Sequence, residues 1–94
     1  MSVYRITRFA SSDMEKLKEM AESMRELIES AGAEFIDVVD YGNGKGVVLA
    51  KYADQAGMDA GAAVNQAAFG KMVEAGLVDG DSIHPHSGEV TMSF

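Results

Sequence analysis

EFIDVVDYGNGKGVVLAKY, residues 34–52, is two strand-like runs joined by a glycine-rich turn. The runs Glu34–Tyr41 and Gly46–Tyr52 are rich in β-branched and aromatic residues. Asn43-Gly44 between them favours the positive φ values of a tight hairpin turn, so the runs are expected to pair antiparallel. Alternation then sorts their side chains. Phe35, Val39 and Tyr41 share a face with Asp37, and Ile36 and Val38 share the other with Asp40. Val47 and Leu49 oppose Val48, Ala50 and Tyr52. Both faces of the hairpin are thus apolar with a few polar interruptions, whereas a sheet with one solvated face should be polar on that side.

Working outward, Val3–Phe9 (VYRITRF) reads as another strand, with Val3 and Phe9 opposing Tyr4 and Ile6. Ser12 followed by Glu15 reads as a capping box that opens a helix. Met14, Leu17, Met20, Ala21, Met24, Leu27, Ile28 and Ala31 form its apolar stripe, and Gly32 is placed to stop it. After the hairpin, Asp54 should cap a second helix running to about Ala75, with Gly76 as its stop. GLVDGDSIHPHSG reads as an irregular connection, and GEVTMSF (Gly88–Phe94) as the last strand, with Val90, Met92 and Phe94 on one face. The order is β-α-β-β-α-β. It predicts an α+β, ferredoxin-like fold in which two right-handed crossovers put both helices on one face of a four-stranded antiparallel sheet. No repeat, linker or low-complexity run interrupts residues 1–94, which are read as a single domain. The helices shield only one sheet face. Because the other is apolar in three adjacent strands, a second copy packed sheet against sheet is expected to cover it.

Composition narrows the partners. Fifteen carboxylates against eight Lys and Arg give a formal charge of −7, which repels phosphate backbones and anionic membranes. KGVVLAKY (Lys45–Tyr52) echoes an RNA-recognition strand, but Val47 and Leu49 stand where its stacking aromatics belong, so no nucleic-acid partner is expected. No apolar run is long enough to span a bilayer, and MSVYRITRF lacks a signal-peptide core. Cysteine is absent, which excludes disulfides and thiol nucleophiles and fits the cytoplasm.

The element order, the chain length and the ending FGKMVEAGLVDGDSIHPHSGEVTMSF together resemble the dimeric α+β barrel superfamily, and within it small proteins similar to antibiotic-biosynthesis monooxygenases. The resemblance implies a homodimer whose two sheets close into a barrel, with a pocket between helices and sheet in each subunit. Members of that superfamily include cofactor-free oxygenases of polycyclic phenols, isomerases, haem-degrading enzymes and stress-induced proteins. The haem-degrading members use a set that includes tryptophan, and this chain has none.

The candidate site residues follow. His84 and His86 flank the single proline, Pro85, in SIHPHSGEV. One of them could carry a proton, or both could lead into the last strand as ordinary polar residues. Their spacing matches no recognised zinc pattern even with Asp79, Asp81 and Glu89 nearby, so no metal is expected. In the second helix, Met58, Ala62, Asn65, Phe69, Met72 and Val73 share a face; Asn65 is its polar member and could orient a carbonyl or phenol. Tyr4, Arg8, Tyr52 and Asp40 have parities that would share a sheet face if the registers allow, and tyrosine and arginine stabilise developing phenolates. The expected function is a small-molecule pocket: a cofactor-independent monooxygenase or isomerase on an aromatic or quinone-like compound. The alternative is a non-enzymatic ligand-binding or stress-associated dimer. The pocket would be built from Tyr4, Arg8, Tyr52, Asn65, Phe69 and Met72, with His84 and His86 as catalytic groups and no cofactor.

Overall fold

A computed structural model describes residues 1–94. Strands β1 (Val3–Ala10), β2 (Phe35–Asp40), β3 (Lys45–Tyr52) and β4 (His84–Glu89) form one antiparallel sheet in the order β2-β3-β1-β4. Helices α1 (Met14–Ser23), α2 (Arg25–Glu29) and α3 (Gln55–Glu74) complete the ferredoxin-like plan. The register fixes the faces. Val3, Thr7 and Phe9 of β1 stand beside Tyr52, Val48 and Gly46 of β3, and Ile36 and Val38 of β2 stand beside Ala50 and Val48. This face carries the core: Val3, Ala50, Tyr52 and Met58 cluster at one end, and Phe9, Leu17, Met72 and Val78 at the other. Tyr4, Ile6, Arg8, Phe35, Asp37, Val39, Val47 and Leu49 share the opposite face, which no helix covers.

Four local expectations need correction, each for a physical reason. Asp13, not Ser12, caps α1: the helix starts at Met14, so Asp13 is the flanking residue, and its Oδ1 accepts from the Lys16 amide at 3.1 Å. The first helix bends at Met24 (φ −103°, ψ 16°) rather than running unbroken. Ser23 Oγ donates to the Met20 carbonyl at 2.6 Å just before the bend, and a hydroxyl competing for a helix carbonyl favours one. Asn43 does not take a positive φ, so the β2–β3 connection is not a two-residue turn. Gly42 and Gly44 carry φ of 87° and 79°, and Tyr41 N–H closes the loop onto the Lys45 carbonyl at 2.9 Å.

The last strand is the fourth correction. It is the histidine segment, beginning at His84 and so upstream of Gly88, where the apolar alternation pointed. Asp79 N–H donates to the Ala10 carbonyl at 3.1 Å, and Ala10 N–H donates to Ser82 Oγ at 2.8 Å. The chain is thereby pinned at the end of β1 and must pair at once, His84 beside Arg8 and His86 beside Ile6. By Val90, whose N–H reaches the Ser2 carbonyl at 2.9 Å, β1 has run out. Residues 91–94 have no strand to pair with, and Met92 and Phe94 stand 74% and 114% exposed. Pro85 fits because β4 is an edge strand.

Candidate functional site: a cleft between helices and sheet

The helices do not close over β2. Ile36 is half-buried and Val38 is 44% exposed, although both point to the helix side. The gap continues inward as an apolar cavity of about 50 Å³. Phe9, Ile36, Val38 and Val48 form its sheet wall, Leu17, Ala21 and Ile28 the wall from α1 and α2, and Asn65, Ala68, Phe69 and Met72 the wall from α3. An outer cleft of about 490 Å³ shares Ala21, Ile28, Ile36 and Val38 with it, so the two are contiguous. The outer rim is charged: Glu22, Arg25, Glu29 and Glu34. Arg25 is engaged by Glu22 at 2.6 Å and Glu29 at 3.4 Å. The hydrogen bond and charge of Glu22, then those of Glu29, raise its pKa above the usual guanidinium range.

Asn65 is the one polar side chain of the inner cavity. Its Nδ2 donates to Tyr52 Oη at 2.9 Å. Tyr52 is fully buried beneath α3, beside Gly61, where a Cβ would sit 3.1 Å from the tyrosine hydroxyl and 2.5 Å from the Ala31 carbonyl oxygen. That contact is why a glycine stands mid-helix: α3 lies closer to Tyr52 and the α2–β2 loop than a side chain would permit. Tyr52 thus holds the Asn65 carboxamide in place, and Asn65 keeps its carbonyl oxygen and its second N–H for a ligand. Phe69 packs edge-on to Phe9, centroids 6.3 Å apart, and stiffens the same wall.

The residues expected to form one site divide between the two faces of the sheet. Asn65, Phe69 and Met72 line the cavity, with Tyr52 behind Asn65. Tyr4 pairs with Lys51 and Arg8 with Val47, which places both on the open face, whereas Tyr52 and Asp40 belong to the helix face. The shared face expected for Tyr4, Arg8, Tyr52 and Asp40 is therefore corrected by the register. His84 and His86, exposed beside Arg8 and Ile6, are on the open face too and do not line the cavity. No group of three or more His, Asp or Glu side chains converges to hold a metal. Sequence reasoning missed Leu17, Ala21 and Ile28 as cavity wall. Their spacing marked them as apolar stripe, but only the gap over β2 distinguishes cavity from core.

No family model matches the chain, and no curated protein does. Solved structures match over nearly its whole length. SnoaB, a cofactor-independent oxygenase from Streptomyces nogalater, superposes with a TM-score of 0.76 at 10% identity, covering 98% of this chain and 95% of that one. A protein of unknown function from Nitrosomonas europaea gives 0.73 at 18% identity, with 99% and 92% covered. A dimeric ferredoxin-like protein of unknown function from Jannaschia sp. CCS1 gives 0.68 at 20% identity, with 96% and 100% covered. The chain shares its fold with these proteins, of which the Jannaschia protein is described as dimeric and ferredoxin-like. No helix is long and apolar enough to cross a membrane.

Proposed function

We propose that the cleft binds a small planar aromatic or quinone-like compound, edge first, and that the protein is a cofactor-independent oxygenase for such a compound. The observation that carries this reading is Asn65, a single carboxamide fixed by Tyr52 in an otherwise apolar wall. A few fixed polar groups in an apolar cleft are what orient a ligand. The inner cavity takes the polar edge of a ring, and the outer cleft is of a size to hold the rest. The SnoaB fold likeness supports the oxygenase reading. For an anthrone-like substrate the balance is simple. The ring methylene reacts with dioxygen, one oxygen atom staying as the new carbonyl and the other leaving as water. The substrate supplies all the electrons.

No titratable side chain lines the inner cavity, so proton loss rests on the substrate's own acidity, and the Asn65 carboxamide, held by Tyr52, is placed to hydrogen-bond the oxygen that gains negative charge. The same observation favours the second reading, a ligand-binding protein without turnover. In either case a second copy covers the open sheet face, as the likeness to proteins described as dimeric supports, and the histidines reach any chemistry only through that interface. The absence of cysteine suits a reducing cytoplasm.

The test is a calorimetric titration with 1-naphthol and with naphthalene, followed by oxygen uptake with anthrone. Naphthol should bind more tightly than naphthalene, and Asn65→Leu should remove that preference. Equal affinities, or a preference that survives Asn65→Leu, would overturn the assignment of Asn65. Binding without oxygen uptake selects the second reading.

A further inference from the structure

The open sheet face is not only apolar; its charge is sorted from edge to edge. At one side, β2 presents Asp37. At the other, β1 presents Arg8, with His84 beside it and His86 one row away on β4. Phe35, Val39, Val47, Leu49, Ile6 and Tyr4 lie between and around them. None of Asp37, Arg8, His84 and His86 has a side-chain hydrogen bond or ion pair in the chain, and all are exposed. Asp37 cannot reach the others. Neighbouring strands are about 4.8 Å apart, so Asp37 is at least about 10 Å from Arg8 and about 14 Å from the histidines. The other cations of this face do not alter the pattern. Lys51 leans to Glu34 at 3.7 Å, and Lys45 lies at the hairpin end of β3.

We infer that the open face docks a second copy about a two-fold axis running along the strands, with Asp37 of each chain set against the Arg8–His84–His86 edge of the other. The inference rests on the sheet-face dimer proposed above and adds its orientation. An axis along the strands lays β2 of one copy over β4 of its partner, so unlike charges meet twice. An axis across the strands lays β2 over β2 and sets Asp37 against its own symmetry copy. Only the first arrangement is self-complementary. It also supplies donors for Asp37 from two histidines and an arginine that the cleft leaves unused.

Two-fold symmetry makes the test specific. Asp37→Arg alone sets positive charge against Arg8 twice, and Arg8→Asp alone sets negative charge against Asp37 twice. An equimolar mixture of the two variants restores two unlike pairs in a heterodimer: the exchanged charges meet at one end of the face, and the native Arg8 and Asp37 meet at the other. Sedimentation equilibrium should find the wild type dimeric, each variant alone at least about tenfold weaker in dimer affinity, and the mixture clearly tighter than either variant alone. Far-UV circular dichroism of each variant alone checks that it is folded. Variants that dimerise as well as wild type, or a mixture no tighter than its components, would overturn the orientation and leave the sheet-face dimer standing. A wild type that stays monomeric at high concentration would overturn both.

Discussion

Asn65 carries two duties with one amide, since it faces the cavity and also satisfies a hydroxyl that is otherwise buried. Removing it leaves Tyr52 Oη without that partner in a site the helix seals. Asn65→Leu should therefore cost about 1–3 kcal/mol in urea unfolding, the range for an orphaned buried polar group. Tyr52→Phe should cost less, because the Asn65 amide still borders the cavity and its cleft, where water can replace the lost partner. Gly61 is less forgiving. A methyl there meets the Ala31 carbonyl oxygen at 2.5 Å, so Gly61→Ala should destabilise by about 1–3 kcal/mol despite alanine's better helix propensity. A Gly61→Ala protein as stable as wild type in the same urea series would show that α3 can lift without penalty. At this scale the sequence was partly readable. Asn65 stood out as a polar residue on an apolar stripe, but its partner depended on how α3 lies across the sheet, which no single residue encodes.

Elements were legible in order and less so in their ends. Both helix stops, the β2–β3 pairing and the sorting of faces along those strands follow from spacing, because period and turn chemistry are local properties. The first cap and the last strand were misread for different reasons. Ser12 and Asp13 are both good caps, and a one-residue choice between them depends on how the chain leaves β1. Asp13→Ala should accordingly lower stability by about 1 kcal/mol in chemical denaturation, while Ser12→Ala should change it by a few tenths. VTMSF has the better strand pattern, yet HPHSGE is the strand, since pairing goes to whatever lies opposite β1 once Ser82 is anchored. Ser82→Ala should remove that anchor and be read in hydrogen exchange as faster opening of β4 amides relative to those of β3.

For the whole molecule, burial is thin: 15 of 94 residues are buried, and large apolar side chains remain exposed on β1 and β2. So small a core should be stabilised by a second copy, and thermal midpoints should rise with protein concentration. A midpoint independent of concentration over a wide dilution series would argue that the isolated chain holds itself together. The location of the cleft could not be read from sequence, because it depends on how far α1 and α2 fall short of β2. Those same exposed β2 residues make the strand the one whose amides a bound ligand should slow most. The sheet's two borders, finally, are not equivalent. β4 ends the sheet with Pro85, a ring in place of a donor, on the outermost strand. Any foreign strand seeking to prolong the ladder finds that margin blunted, so templated growth into fibrils has only the β2 margin to start from, and a chain with growth confined to one side is the harder to polymerise.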